Sequence, residues 1–191
     1  MTAAPDTDAD PGLPSTDEDA PPDPAAYAAV VKRAVKGLDC TLLFEPGRML
    51  VGNAGILVTR VLYMKPGEAK NFVIVDAAMN DLVRPAMYEA YHEIWPVRQA
   101  AAGAKLVTYD VVGPICETGD TFAVERALPE MKAGDLVAFK TAGAYGSSMS
   151  STYNQRRLVP EVLVRGADYA VTRPRQTYDE LIGLDRAPPW L

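Results

Sequence analysis

The stretch ILVTRVLYM (56–64), then Lys65-Pro66-Gly67-Glu68, then KNFVIVD (70–76) decides how this chain folds. Two runs rich in β-branched and aromatic residues, parted by a Pro-Gly pair, read as strands joined in a hairpin. Working outward, KLVTYDVV (105–112), TFAVERA (121–127), DLVAFK (135–140) and LVPEVLVR (158–165) repeat the pattern, with Gly, Pro or Asp between them. Short strands at this spacing predict a mostly antiparallel β body over residues 56–191, a barrel or sandwich. Residues 81–92 (DLVRPAMYEAYH) predict an irregular short helix interrupted at Pro85. Residues 177–184 (TYDELIGL) predict a last helix, with Thr177 and Glu180 spaced as a capping box.

Ahead of the β body the character differs. Residues 1–23 are rich in Pro, Asp, Thr and Ala, carry no basic residue and predict a disordered acidic tail. Asp23-Pro24 is a helix start, and Val30, Val31, Ala34 and Val35 form its apolar stripe before Gly37. Cys40-Thr41-Leu42-Leu43-Phe44 is nearly all apolar and predicts a strand buried on both faces, as in a parallel sheet. Helix, loop and buried strand make one unit of an α/β barrel, so residues 24–55 read as its remnant. The class is α+β, mostly β.

Bulk properties set bounds. A net charge of -6 and a pI near 4.8 oppose nucleic-acid and anionic-membrane surfaces. Two cysteines, far apart, are no disulfide framework and suit a reducing cytoplasm. No apolar run approaches the roughly 18 residues a membrane helix needs.

Four motifs carry candidate chemistry. Phe44-Glu45-Pro46-Gly47-Arg48 sits just past the expected buried strand, where parallel folds place ligands. Its carboxylate could hold a protonated ring nitrogen and its guanidinium a phosphate or carboxylate; a capped turn with a surface Glu–Arg pair is an equal alternative. Arg84 and Tyr88, four apart on a helix, share a face and could reach one carboxylate, although an exposed Arg packed on a Tyr is commoner. Cys116 and Glu117 lie in a Gly- and Pro-bounded loop that suits a proton donor, whereas Cys40 reads as packing inside a strand. Tyr145 stands among small residues in the loop 141–154, where backbone can approach a planar ligand. His92, the sole histidine, is expected at the surface or a helix end.

Taken together and in order, Glu-Pro-Gly-Arg (45–48), Arg-Pro-Ala-Met-Tyr (84–88), Cys-Glu-Thr-Gly-Asp (116–120) and Gly-Ala-Tyr-Gly-Ser (143–147) resemble the diaminopimelate decarboxylases of the type III, alanine-racemase-like pyridoxal-phosphate group. The likeness runs from about Pro21 to Leu191. It implies a C-terminal β domain joined to the last units of a (β/α)8 barrel, and conversion of meso-2,6-diaminopimelate to L-lysine and CO2, the last step of lysine biosynthesis. It implies that Glu45, Pro46, Gly47, Arg48 and Tyr145 contact pyridoxal 5'-phosphate. Arg48, Arg84, Tyr88, Glu117 and Tyr145 would contact substrate, and Cys116 would be the catalytic proton donor. It also implies a homodimer in which the Cys-Glu pair serves the neighbouring subunit. The family's Schiff-base lysine has no counterpart among Lys32, Lys36, Lys65, Lys70, Lys105, Lys132 and Lys140. The isolated chain is therefore expected to be inactive without the missing barrel half, to associate through exposed apolar surface, or to act as a non-catalytic partner of a full-length homologue.

Overall fold

The computed structural model describes residues 23–101 and 103–190. All but one residue of the expected acidic tail thus lies outside the described residues. The first described element is α1 (Pro24–Ala34), whose N-cap Asp23 accepts a hydrogen bond from the Ala25 N–H at 3.0 Å. Pro24 at the first position needs no N–H partner, which is why the helix begins there.

The β body is a six-stranded sheet. Its strands are β1 (Leu57–Lys65), β2 (Phe72–Val75), β3 (Ile94–Pro96), β4 (Leu106–Val112), β5 (Thr121–Pro129) and β6 (Leu136–Phe139), in the order β3-β6-β1-β2-β4-β5. Pairing is antiparallel except between β2 and β4, where Phe72 faces Asp110 and Ile74 faces Val112 in parallel register. The expected β1–β2 hairpin is present. Along β1 the inward residues Thr59 and Val61 alternate with outward Val58, Arg60 and Leu62, as a half-buried strand requires. A bulge between Val61 and Tyr63 then shifts the inward face onto Met64. Val61, Val73, Val75, Tyr109, Val111, Phe122, Val137 and Phe139 fill one core, with Leu82 and Ile94 closing it. Phe122 and Phe139 stack at 4.4 Å between centroids. Burial of a side chain such as Phe139 stabilises by about 1.5–3 kcal/mol.

Beyond the sheet, β7 (Glu161–Arg165) and β8 (Asp168–Arg173) form a separate hairpin around Gly166-Ala167. Gly166 has φ +61, the left-handed conformation such a turn asks for. The chain ends with α4 (Tyr178–Ile182), and the capping box between Thr177 and Glu180 is formed.

Four expectations are corrected. Residues 40–44 form no strand: Leu43 is 90% and Phe44 55% exposed, and Cys40 is exposed rather than packed. A strand buried on both faces exists only with neighbours to pair with, and among the described residues none lies beside it. Pro85 does not interrupt the helix of 81–92 but starts it, occupying the first turn of α3 (Arg84–Tyr88). Glu89, at φ 53, ends it. His92 is fully buried, its Nδ1 donating to the Lys140 carbonyl at 2.9 Å, while Arg126 donates to the His92 carbonyl. The strands β3 and β8 were not expected.

A short helix, α2 (Gly47–Val51), follows the Glu45-Pro46 turn, and backbone bonds just after it fasten the segment to the β body. Ala142 N–H donates to Gly55 O at 2.9 Å and Gly143 N–H to Gly52 O at 3.0 Å. The chains pass so closely that a Cβ on Gly143 would sit 1.9 Å from the Val51 carbonyl oxygen. At Gly47, by contrast, a Cβ would meet nothing within 4 Å.

Two outcomes follow from this packing. Gly143→Ala is expected to lower the unfolding free energy by about 1–3 kcal/mol in denaturant titration, through forced backbone displacement, while Gly47→Ala changes it by less than about 0.5. Equal effects would contradict the crossing. The second concerns Asp110, buried on β4, which accepts from the Glu125 N–H at 2.8 Å and from Lys70 Nζ at 2.8 Å. Burial works against its charge, but the Lys70 and Glu125 hydrogen bonds and the Lys70 charge outweigh it and hold the carboxyl below its usual range. Lys70 is half exposed, so solvent screens that pair and the backbone bond carries more. Asp110→Asn is expected to cost about 1–2 kcal/mol at neutral pH. Because the folded-state pKa is depressed, this difference is full above the unfolded carboxylate pKa and disappears as pH falls through the folded one. A difference that does not vary with pH would refute the assignment.

Candidate functional site

The loops bearing Cys116 and Tyr145 both meet the turn 76–82 that leaves β2, Arg84 follows that turn, and the segment bearing Glu45 to Arg48 joins the Tyr145 loop at Gly143. Within that turn Asp81 N–H donates to Ala78 O at 2.8 Å, and Ala78 N–H returns a bond to Asp81 Oδ2 at 3.0 Å. Ala77 N–H donates to Thr59 Oγ1 at 2.7 Å, tying the turn to β1. Asn80 and Asp81 are buried, and Arg156 covers them, its Nε donating to Asn80 Oδ1 at 2.9 Å and its Nη2 lying 3.6 Å from Asp81. Burial pushes the Asp81 carboxyl above its usual range, against the pull of the Ala78 N–H and the Arg156 charge.

From this turn the chain enters α3. Arg84, at its first position, is buried, with 7% of its surface exposed. Its guanidinium carbon lies 5.9 Å from the Tyr88 ring centroid, as the four-residue spacing expects, and 5.6 Å from that of Tyr145. Two aromatic faces around one guanidinium contribute about 0.5–1 kcal/mol each and hold its plane. Tyr88 and Tyr145 themselves are about half exposed. The structure thus gathers Arg84, Tyr88 and Tyr145 into one cluster.

Tyr145 owes its position to strain and anchoring. It has φ 55, a left-handed conformation uncommon for an aromatic residue and maintained only where surroundings dictate it. On one side Gly143 is clamped against Val51, Gly52 and Gly55. On the other, Asn80 Nδ2 donates to Ser151 O at 3.2 Å and Ser151 N–H to Asn80 O at 2.9 Å. The first clamp also joins the Tyr145 loop to the segment bearing Glu45, Pro46, Gly47 and Arg48. Glu45, Pro46 and Gly47 are exposed and Arg48 half-buried.

Cys116 and Glu117 stand on a different loop, 113–120, at the tip between β4 and β5, and both are exposed. The loop is folded around Asp120, which is buried. Asp120 Oδ2 accepts from the Ile115 N–H at 2.8 Å, and its Oδ1 from the Met79 N–H at 2.7 Å. Burial pushes the Asp120 carboxyl up, against both of these bonds. A Cβ at Gly113 would lie 2.2 Å from Asp120 Oδ2, so glycine is required there. An open cleft of about 460 Å³ lies away from these motifs, lined by Arg60, Asp76, Asp81, Arg156, Arg175 and Tyr178 among others.

Asn80, Asp81 and Arg156 were not singled out from the sequence. The only signal was a buried-looking polar pair between a strand end and a helix start. Asp120 lay inside a quoted motif without a role. Among the described residues no cluster of His, Cys, Asp or Glu could hold a metal ion, and no helix is long and apolar enough to cross a membrane.

Comparison with known proteins bears on the same residues. The sequence profile of the pyridoxal-dependent decarboxylase C-terminal sheet domain matches residues 10–143, starting within the segment outside the described residues. The diaminopimelate decarboxylase of Zymomonas mobilis is 47% identical over 175 residues, 92% of this chain and 41% of that protein. A crystal structure of diaminopimelate decarboxylase from Helicobacter pylori, complexed with L-lysine, superposes with a TM-score of 0.79 at 40% identity, over 89% of this chain and 41% of that one. That from M. jannaschii, in co-complex with L-lysine, gives 0.82 at 35% identity over 94% and 42%. The chain thus spans about two fifths of the length of the curated relatives it matches. By that profile match the chain belongs to the pyridoxal-dependent decarboxylases, as their C-terminal sheet domain.

Proposed function

We propose that this chain supplies the substrate-recognising and proton-donating part of a pyridoxal-phosphate-dependent decarboxylase that converts meso-2,6-diaminopimelate to L-lysine and CO2 in the cytoplasm. The observation that carries the reading is the buried Arg84 between Tyr88 and Tyr145. A guanidinium whose plane is held and whose solvent is largely excluded is suited to a substrate carboxylate remote from the reacting carbon.

The remaining groups find roles around it. Glu45 and Arg48 lie on a segment clamped to the Tyr145 loop, so a carboxylate, a guanidinium and a phenol belong to one backbone unit. The turn is open at Gly47, where even an added Cβ meets no atom. This donor set fits a phosphorylated pyridine: Glu45 toward the ring nitrogen, Arg48 toward an anionic group, and Tyr145 toward the ring. When bound, pyridoxal phosphate supplies the electron sink for loss of CO2 from the α-carbon. Glu117, an exposed carboxylate beside Cys116, receives the distal ammonium of the substrate. The Cys116 thiol, exposed and in no disulfide, delivers a proton to the carbon that has lost CO2. The pair serves the site of a neighbouring subunit in a homodimer.

Surface left apolar supports assembly with further polypeptide. Leu42, Leu43, Phe44, Leu50, Val51 and Ile56 are all more than two fifths exposed in one stretch of chain. Its proposed occupant is a barrel corresponding to the other three fifths of the relatives' length, with residues 24–55 as the contacting portion.

The test is complementation. Co-expressing the chain with the N-terminal three fifths of a relative, adding pyridoxal phosphate and assaying lysine from diaminopimelate is expected to give product. Borohydride reduction should mark a lysine of the added segment and none of the seven in this chain. In that assembly Cys116→Ala is expected to lower kcat by about 10²–10⁴ with little change in KM. Arg84→Gln should raise KM by at least about tenfold. An assembly that binds the cofactor yet makes no lysine, or whose activity ignores Cys116, would overturn the proposal.

A further inference from the structure

The motif Cys-Glu-Thr-Gly-Asp (116–120) ends in a residue to which neither the resemblance nor the reaction gives a task, and its geometry supplies one. Asp120 is 2% exposed, the most deeply buried residue of the loop 113–120. One oxygen accepts from the Ile115 N–H, immediately before Cys116, and the other from the Met79 N–H, in the turn that leads into Arg84. The Asp120 backbone closes the same loop: its carbonyl accepts from the Gly113 N–H at 2.9 Å, and its N–H donates to Glu117 O at 3.0 Å. Glu117 Oε1 accepts in turn from the Gly119 N–H at 3.2 Å.

We infer that Asp120 is a positioning residue: its carboxylate locks the Cys116–Glu117 loop to the turn that carries Arg84. The physical argument rests on where the loop's stability can come from. Of the residues 113–120 only Ile115 is a buried apolar side chain, so packing cannot fix the backbone at Cys116 and Glu117. A buried anion that accepts from two N–H groups on two segments can, because losing either bond leaves a buried amide without its partner. Gly113 provides the space for the carboxylate, since any side chain there would collide with it. The consequence is that the proton donor and the carboxylate-binding Arg84 are not independent. They hang from opposite oxygens of one side chain. If the Cys116 pair serves a neighbouring subunit, the same carboxylate stands between groups of two sites.

This role rests on the proposed function for its catalytic meaning, but its geometry is tested without it. In the 191-residue chain, thiol modification by a disulfide reagent is followed separately at Cys116 and Cys40, both exposed. Asp120→Asn keeps one acceptor oxygen and points an NH₂ at the other amide, so one of the two bonds is lost. Cys116 reactivity is expected to change at least threefold in Asp120→Asn and Asp120→Ala while Cys40 stays at its original rate. Hydrogen exchange at the Ile115 and Met79 amides should speed up at least tenfold. Asp110→Asn, which weakens the β4–β5 ladder elsewhere, serves as the control and should leave Cys116 unchanged. If Asp120→Ala does not fold, Asp120→Asn alone decides. Unaltered Cys116 reactivity and unaltered exchange at both amides would overturn the inference, as would an equal response to Asp110→Asn. In the complemented enzyme, Asp120→Asn should both lower kcat and raise KM, whereas Cys116→Ala affects kcat alone. Should the wild-type assembly make no lysine while Asp120→Asn still alters Cys116, the functional reading fails and the positioning stands.

Discussion

The polar turn 76–82 holds the loops of Cys116 and Tyr145 and leads directly into Arg84. The β body has an apolar core of its own, but the loops above it have little to bury. Loops of that composition are ordered only if their backbone groups find buried partners, since each unpaired one costs about 1–3 kcal/mol. The turn satisfies them from several directions. Thr59 takes the Ala77 amide, Asp120 takes that of Met79, and Asn80 exchanges bonds with Ser151 and accepts one from Arg156. Arg156 also donates to the Asp76 carbonyl. Strand β1, the loop of Cys116 and the loop of Tyr145 are thereby referred to one short piece of chain, from which Arg84 then emerges. Placement of the chemistry is thus a hydrogen-bonding problem solved next to, rather than by, the hydrophobic core.

That division explains how much could be read from residues alone. The strands β1, β2, β4, β5, β6 and β7 were legible because alternation of large apolar and polar residues is a local signal, and so were the Pro24 start and the capping box at Thr177. Strand β3 was not: three residues, Ile94, Trp95 and Pro96, are too few to show a period, and they become a strand only because β6 offers its edge. Residues 40–44 failed in the opposite sense. Their composition suits a doubly covered strand, but composition cannot supply the neighbours. His92 misled because a lone polar residue near a helix end is ordinarily solvated, and the Lys140 carbonyl that receives it is 48 residues away. Pro85 was read as a breaker when the same locked φ makes it a good first-turn residue.

The site was legible where its geometry is local and dark where it is not. Arg84 and Tyr88 share a helix face by spacing alone, but Tyr145 joins them from 57 residues further along the chain because Gly143 lets two backbones touch. Nothing in Gly143 announces the Val51 carbonyl it meets. Asp120 was visible as a letter in a motif, but its function depends on Met79, 41 residues earlier. Motif resemblance compensated for this, since order and spacing of four short segments carry long-range information that periodicity cannot.

What the described fold leaves uncovered is as informative as what it buries. The hairpin β7–β8 exposes Val162, Leu163, Val164, Tyr169 and Val171, each by about half or more, on both faces of a two-stranded ribbon. A lone ribbon of this kind is marginal in water, because neither face is covered and two strands have few cross-strand pairs. Residues 42–56 present a second apolar surface, on a segment joined to the sheet chiefly through Gly52 and Gly55. These two surfaces contrast with the interior of the six-stranded sheet, which is filled. The chain thus has two parts: a six-stranded sheet with a filled core of its own, and flanking segments whose apolar side chains the described residues leave uncovered. Cys116 and Glu117 belong to the first part, being held by Asp120 within the sheet. Glu45 and Arg48 belong to the second, on a segment whose backbone meets the Tyr145 loop at Gly143. The loop of Cys116 is therefore tied by Asp120 to the filled part of the fold, whereas the turn of Glu45 and Arg48 borders apolar surface that the described residues leave open.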